Sequence, residues 1–121
     1  MNFLIIFAYT YMKVHLIKKQ SIEGYVKNHA ASRSSFTNWL NALKYSEWKT
    51  PGDILETFGS ADLLGNASSR VIFNLGGNNY RMICKYAFGE KQVHLFVCWI
   101  GTHAEYTKIC NEGKQHKIND Y

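Results

Sequence analysis

With 121 residues, the chain is long enough for one compact domain with a single apolar core and too short for two domains of ordinary size. Hydrophobic residues make up 46% of it and there is one proline, a composition that excludes disordered and collagen-like proteins. Fourteen Lys and Arg against nine Asp and Glu give a formal net charge of +5, which favours a polyanionic ligand without identifying it.

The first eleven residues, MNFLIIFAYTY, form an apolar run. The run is far shorter than the roughly 20 residues of a membrane-spanning helix. A secretory signal carries basic residues in front of its apolar run, whereas here the first basic residue, Lys13, follows it. We interpret residues 1–11 as an apolar extension upstream of a natural start at Met12, with a genuine extension as the alternative, and we expect no membrane association.

The next part of the chain predicts one strand and two amphipathic helices. Residues 12–17 alternate as in a strand, and the period then changes to that of a helix, for which Ser21 is a plausible N-cap. A second helix is predicted to begin at Ser32 or Ser34. The stripes that the two helices bury are Ile22, Tyr25, Val26 and His29 in the first and Phe36, Trp39, Leu40 and Leu43 in the second.

A third, short helix is predicted from the segment Thr50-Pro51-Gly52-Asp53. Thr50 can cap it, proline suits the first helical position, and Asp53 favours the positive end of the helix dipole. The following residues, 59–69, are rich in Gly, Ser, Asn and Asp and indicate a connection with one turn near residues 61–64.

Three strands and a final helix complete the predicted order. The strands begin at Arg70, Tyr80 and Val93, with turns at residues 76–79 and 89–91, and Trp99 is predicted to share the face of Val93. Thr102 can cap the last helix, since a glutamate three residues later completes a capping box. The polar residues 111–121 predict a loose tail.

This order predicts an α+β fold, in which helices pack on one face of a mostly antiparallel sheet and the other face can bind a ligand. The three cysteines, Cys84, Cys98 and Cys110, form an odd set without a Cys-x-x-Cys pair, so neither a disulfide framework nor a zinc site is indicated. A reducing, cytoplasmic location fits such cysteines best. The phosphate-binding GxxxxGK[ST] loop and the HExxH and GxSxG motifs do not occur, so we expect neither a metal nor a cofactor.

A polar set in the last half of the chain carries the candidate chemistry. On one strand, Arg81 and Lys85 share a face and are expected about 7 Å apart, a pair that suits a phosphate. The alternative is that they only keep an exposed strand polar. The whole set comprises Arg70, Asn78, Arg81, Lys85, His103, Tyr106 and Lys108.

Two of these residues can take part in proton transfer. The imidazole of His103 gives and takes protons near neutral pH, although a histidine in the first turn of a helix can equally be an ordinary exposed residue. Tyr106 lies three residues further on, on the same helix face, and can stack on a base or assist proton transfer. Its alternative role is to close the core.

Two stretches of the sequence resemble the signature of HigB-type toxins. They are RVIFNLGGNNYRMICKYAF, residues 70–88, and VHLFVCWIGTHAEYTKI, residues 93–109, which contain a basic residue, FN-x-GGN-x-x-R and a strand ending in THxEY. The segments KTPGDILETFGSADLL and MKVH also resemble that family, so the likeness covers about residues 12–110. Thr107 departs from it, because family members often have Asp there.

The resemblance implies one RelE-like toxin domain over residues 12–121, with an N-terminal strand and two helices on a mostly antiparallel four-stranded sheet and a short C-terminal helix. It further implies a metal-independent, ribosome-dependent endoribonuclease that cleaves mRNA by attack of a 2′-hydroxyl on the adjacent phosphate. The expected partner is a HigA-like helix-turn-helix antitoxin. Arg81, His103 and Tyr106 are then the catalytic candidates, and Arg70, Asn78, Lys85 and Lys108 the RNA-binding candidates.

Two other functions stay open on the same scaffold. One is a noncatalytic RNA-binding module, and the other is a ParE-like inhibitor of DNA gyrase. The Arg81, His103 and Tyr106 set separates these possibilities, because a pure binder has no use for a proton-transferring histidine beside a phosphate clamp.

Overall fold

A computed structural model describes residues 10–65 and 67–121, so most of the predicted N-terminal extension lies outside the described residues. Within these ranges the chain forms four α-helices and six strands. The helices are α1 (Lys19–Asn28), α2 (Arg33–Lys44), α3 (Pro51–Thr57) and α4 (His103–Asn111), with a 3-10 turn over Ala30–Ser32. The strands are β1 (Met12–Ile17), β2 (Glu47–Trp48), β3 (Asp62–Leu64), β4 (Arg70–Leu75), β5 (Tyr80–Phe88) and β6 (Val93–Thr102).

The strands form one sheet in the order β2-β1-β6-β5-β4-β3. Strand β1 runs parallel to β6 and all other neighbours are antiparallel, as predicted. The predicted four-stranded sheet is wrong in number, because β2 and β3 add one short strand at each edge. Strands of two and three residues are too short to show an alternating pattern, so the sequence indicated only a connection at β3.

The main core lies between one sheet face and helices α1, α2 and α3. Trp48 and Ile54 are fully buried in it, and so are the stripe residues Ile22 and Phe36 of the two long helices, as their spacing predicted. The prediction that His29 is buried in the same stripe is wrong, because α1 ends at Asn28 and leaves His29 exposed just after the helix. Among the described residues no helix is long and apolar enough to cross a membrane.

A bulge in β6 changes which face its side chains occupy. Ile83 pairs with Trp99 and Cys84 with Val97, so Cys98 is an extra residue on β6. The prediction that Trp99 shares the face of Val93 is therefore wrong. Its indole lies on the opposite face, in a second apolar cluster with Ile83 and Cys98.

The second cluster shows that the opposite sheet face is partly covered. Ile109 of α4 and Ile118 of the tail pack onto it. The tail backbone is also bonded to the sheet, since the Asp120 N–H donates to the Cys98 carbonyl at 2.8 Å. The prediction of a loose tail from the polar residues 111–121 is wrong, because composition does not show that Ile118 can pack on the sheet or that β6 is unpaired where it extends past the end of β1.

The predicted start of α1 is wrong, whereas the predicted starts of α3 and α4 are confirmed. Ser21 is not the N-cap of α1, because this helix begins at Lys19 and its N-cap is Lys18, which has a left-handed backbone with φ 70°. At α3, the Asp53 carboxylate accepts the N–H groups of Thr50 and Lys49, and both bonds lower the pKa of that carboxyl. The predicted capping box of α4 is present, with Thr102 and Glu105 bonding each other's backbone N–H.

Candidate active site and basic cavity

Arg81 lies on β5 next to the β4–β5 turn, and its side chain is almost buried at 6% exposure. Its guanidinium donates from Nη2 to the Asn78 Oδ1 and from Nη1 to the Tyr80 carbonyl at 3.1 Å. Both partners are neutral. Within the described ranges the ion pair found joins Lys114 to Glu112, so no carboxylate within 4 Å neutralises this buried cation.

His103 is the first residue of α4 and is exposed. Its backbone N–H donates to the Asn79 carbonyl at 3.0 Å, which ties the start of α4 to the β4–β5 turn. Strand pairing places Arg81 opposite Gly101, two residues before His103. The structure therefore brings the predicted clamp and the predicted proton-transfer residue to the same end of the β5–β6 pair.

Tyr106 is half-buried on α4, and its ring centroid lies 6.2 Å from that of Trp99. Burial raises the pKa of its hydroxyl well above the usual range, and a side-chain hydrogen bond to Cys110 adds to this rise. The hydroxyl is therefore protonated at neutral pH and is not available as a base there. We call Asn78, Arg81, His103 and Tyr106 together the hairpin site.

Gly101 lies next to the hairpin site, opposite Arg81 on β6, and the sequence did not single it out. A Cβ built on it would lie 2.4 Å from two carbons of the Trp99 ring and 3.1 Å from Glu105 Oε1. Only glycine lets the indole lie this close to β6 beside Arg81. The sequence gives no sign of this close approach, because it results from the bulge in β6, which only the strand register shows.

Arg70 and Lys85 do not belong to the hairpin site. They pair with each other across β4 and β5, and Lys85 is four residues along the strand from Arg81. Four residues span about 13 Å, not the expected 7 Å, so one phosphate cannot bridge Arg81 and Lys85. Ile83 lies between them in the second apolar cluster.

Arg70 is as buried as Arg81, at 6% exposure, but its partners are in the C-terminal tail. Its Nη1 donates to the Ile118 carbonyl at 2.7 Å and to the Gln115 carbonyl at 3.2 Å. Lys108 is exposed in the last turn of α4, where it contributes to lowering the pKa of Glu112 after the larger effect of Lys114. The predicted set thus divides between two places.

A cavity of about 460 Å³ opens beside Arg70 and Lys85 on the sheet face opposite α1, α2 and α3. Two of its lysines, Lys18 and Lys117, were not predicted as site residues, because no sequence pattern indicates that the start of α1 and the tail meet there. We call this the basic cavity; it is lined by Lys18, Arg70, Lys85, Ala87, Phe96, Val97, Cys98, Lys117 and Asn119.

Residues 32–109 match the family model described as HigB toxin, the RelE-like toxic component of a toxin-antitoxin system. The chain belongs to this family. The resemblance found in the sequence is thereby confirmed. The chain is also similar to the mRNA interferase HigB of Escherichia coli O6:H1 strain CFT073, with 25% identity over 104 residues that cover 86% of this chain and 99% of that relative.

The family match includes all four residues of the hairpin site and ends before the C-terminal tail. Lys18 and Lys117 of the basic cavity lie outside it. No group of three or more His, Cys, Asp or Glu side chains that could hold a metal ion occurs in the part of the chain that the structure describes.

Proposed function

We propose that this HigB-family toxin is an endoribonuclease that cleaves mRNA on the ribosome and that a HigA-like helix-turn-helix antitoxin restrains it in the cytoplasm. The observation that carries the proposal is the hairpin site, where a buried guanidinium with neutral partners and an exposed imidazole lie at the same end of the β5–β6 pair. A buried cation without a counterion is costly, and a phosphate relieves that cost. The name of the similar protein, mRNA interferase, supports RNA as the substrate.

The reaction is attack of an RNA 2′-oxygen on the adjacent phosphorus. The 2′-hydroxyl loses its proton, the bond from phosphorus to the 5′-oxygen breaks, and that oxygen gains a proton, which leaves a 2′,3′-cyclic phosphate and a 5′-hydroxyl. No electrons are transferred and no metal is required. His103 performs one of the two proton transfers as general acid or base.

Arg81 acts as the phosphate clamp. A planar guanidinium contacts two phosphate oxygens at once and stabilises the charge that grows in the transition state. Asn78 acts as a positioning residue, because its amide oxygen accepts from Arg81 and fixes the direction of the guanidinium. Tyr106 offers its half-buried ring for stacking on a base, and Lys108 contacts a neighbouring phosphate.

The ribosome supplies the alignment that a shallow site of four residues lacks. A basic surface alone binds free RNA weakly and without sequence preference. We therefore expect translated mRNA to be cleaved much faster than the same transcript free in solution. Equal rates on both would contradict ribosome dependence but not the nuclease activity.

The deciding experiment maps mRNA 5′ ends after induction of the wild-type chain and of His103→Gln. Wild-type chain should arrest growth and create new 5′-hydroxyl ends. EDTA should leave the slower cleavage of the free transcript unchanged, a test that uses no ribosomes because ribosomes themselves need Mg²⁺. His103→Gln should slow cleavage by about 100-fold or more, since that is the usual contribution of general acid–base catalysis.

The matched control is His29→Gln, which removes another exposed histidine outside the hairpin site. It should cleave like wild type. Growth arrest without new RNA ends would contradict the proposal and favour a gyrase inhibitor, and full activity of His103→Gln would remove this histidine from the mechanism. Co-expression of the neighbouring gene product should restore growth if it is the antitoxin.

A further inference from the structure

The basic cavity gathers positive charge from three separate parts of the chain. Lys18 comes from the start of α1, Lys85 from β5 and Lys117 from the C-terminal tail. Within the described ranges, the ion pair found lies elsewhere, between Lys114 and Glu112, so none of these lysines has a carboxylate within 4 Å. Arg70 adds a fourth, buried cation whose partners are two carbonyls. Cations gathered without a counterion repel each other, and an anion removes that repulsion.

We propose that the basic cavity is a second RNA-binding site, separate from the hairpin site, in which Lys18, Lys85 and Lys117 hold a backbone phosphate. The half-buried ring of Phe96 adds an aromatic surface on which a base can stack. The distance of about 13 Å along β5 between Lys85 and Arg81 is a span of a few nucleotides of single-stranded RNA. The inference rests on the proposed function, because it takes RNA as the ligand.

Lys18 is held in an unfavourable conformation at this site. Its φ of 70° is in the left-handed region, which costs a non-glycine residue about 1–2 kcal/mol. Lys18 and Lys19 also place two cations at the positive end of α1, whose first turn contains no acidic residue. Local strain that persists at one residue is typical of functional sites, and the attraction of a bound phosphate to the two cations and to the helix N-terminus offsets the cost of both features.

Arg70 acts here as a positioning residue. By holding the carbonyls of Gln115 and Ile118, it fixes the residues on both sides of Lys117, while the Asp120 N–H fixes the next part of the tail to β6. Burial raises the pKa of the Cys98 thiol, and Arg70, Lys85 and Lys18 oppose that rise. These three cations are therefore close enough to the Cys98 sulfur, in the lining of the cavity, to act on it electrostatically.

The test measures binding of a fluorescent 2′-O-methyl RNA 12-mer to the full-length chain by anisotropy over a series of salt concentrations. This probe lacks the attacking hydroxyl, so binding is separated from cleavage. Lys117→Ala should weaken binding about fivefold, equal to about 1 kcal/mol, and should reduce the slope of log affinity against log salt by about 0.7. The matched control is Lys114→Ala, which removes a lysine of the same tail that is paired with Glu112 outside the cavity.

A second pair of variants tests the role of the left-handed backbone at Lys18. Lys18→Gly should weaken RNA binding as much as Lys117→Ala while leaving the melting temperature unchanged or higher, because glycine adopts a positive φ without strain. Its control, Ala67→Gly, relieves a φ of 53° outside the cavity and should leave binding unchanged.

Equal RNA affinities of Lys117→Ala and Lys114→Ala would overturn the second site, and so would full affinity of Lys18→Gly. Neither result would touch the proposed function, because His103→Gln should bind this probe like wild type and still fail to cleave mRNA. Conversely, absence of cleavage by the wild-type chain with a normal Lys117→Ala effect would reject the nuclease and keep the binding site.

Discussion

Arg70 and Arg81 lie on neighbouring strands, point to the same sheet face and are equally buried, but their partners differ. Arg81 bonds groups one and three residues away in its own hairpin, whereas Arg70 bonds carbonyls 45 and 48 residues away. The first arginine is oriented by local sequence, and in the proposed function its remaining donors contact an RNA phosphate. The second joins the end of the chain to the sheet.

This difference shows that residue type, burial and strand position do not define a role by themselves. A guanidinium has five N–H donors, and the distribution of their partners decides whether the group binds a substrate or builds the wall of a site. Both arginines were expected to contact RNA phosphates. We expect direct contact for Arg81 and an indirect, positioning contribution for Arg70.

The largest expected effect is on the cleavage rate, when each of the two arginines is replaced by lysine. Arg81→Lys keeps the charge but loses the two-point contact with phosphate, so cleavage should fall by on the order of 100-fold or more. Arg70→Lys should reduce cleavage only about fivefold, through the loosened tail. Single-turnover cleavage of translated mRNA measures both, with thermal melts as the control for folding.

Limited trypsin digestion provides the reciprocal readout. Arg70→Lys should expose the tail to cleavage after Lys117, and Arg81→Lys should leave the tail as resistant as in wild type. Similar losses of activity for both variants, or a tail that stays protected in Arg70→Lys, would contradict the division of roles.

The next effect concerns how closely the hairpin site is packed. Gly101→Ala places a methyl group 2.4 Å from the Trp99 ring, so the indole has to move, at a cost of about 1–3 kcal/mol of unfolding free energy. Because the indole contacts Tyr106, cleavage should fall as well. Urea unfolding measures the stability change.

Gly24→Ala is the matched control. Gly24 lies inside α1, and no heavy atom lies within 4 Å of the position that the alanine methyl would take, so alanine should stabilise the helix by about 0.5–1 kcal/mol. If Gly101→Ala were as well tolerated as Gly24→Ala, the close approach of the Trp99 ring to β6 would be refuted.

A smaller effect is expected from the capping box that sets the start of α4. Thr102→Ala removes the acceptor of the Glu105 N–H and should cost about 1 kcal/mol. Asp53→Ala causes similar damage at α3, where the carboxylate accepts two backbone N–H groups. Both variants should lose similar stability, but only Thr102→Ala should also slow cleavage, because only that cap orients His103. Equal activities of the two would show that the cap has a structural role alone.

The sequence predicted the parts of this fold that depend on local patterns. Stripes of apolar residues defined α1 and α2, and the Thr102 and Glu105 spacing predicted the start of α4. Likewise, the run from Asn78 to His103 predicted the hairpin site, since the hairpin and the next strand bring these residues together. The FN-x-GGN-x-x-R motif, the strand ending in THxEY and the segment from Lys49 to Leu64 together identified the family.

The remaining features depend on contacts between distant segments, which no local pattern records. The basic cavity joins Lys18 to Lys117, almost the whole length of the chain apart, and the left-handed conformation at Lys18 has no glycine to signal it. The bulge at Cys98 reverses the face of Trp99 without any change in the apolar pattern of β6. The docked tail was missed for the same reason.

The smallest effect is expected at Tyr25, which is influenced both by the start of α4 and by the C-terminal tail. Burial raises the pKa of its hydroxyl to about 12, with further contributions from Glu105 beside the hairpin site and from Tyr121 at the end of the tail. The buried oxygen has no hydrogen-bond partner among the described residues. Removing a buried hydroxyl without a partner costs no hydrogen bond, so Tyr25→Phe should leave the unfolding free energy at pH 7 unchanged or about 1 kcal/mol higher.

The raised pKa of Tyr25 also predicts how the free energy of unfolding changes at alkaline pH. Because the pKa of Tyr25 is higher in the folded chain than the usual value of about 10, the unfolded chain loses the proton first as pH rises. Its contribution to stability is therefore intact below pH 10 and declines as the pH approaches 12. Urea unfolding at pH 7 and pH 10.5 should show a smaller alkaline loss for Tyr25→Phe than for wild type. Truncation of Tyr121 should shrink that difference if the tail lies against Tyr25 in solution, and an unchanged difference would mean that the tail is docked differently from the arrangement that completes the basic cavity.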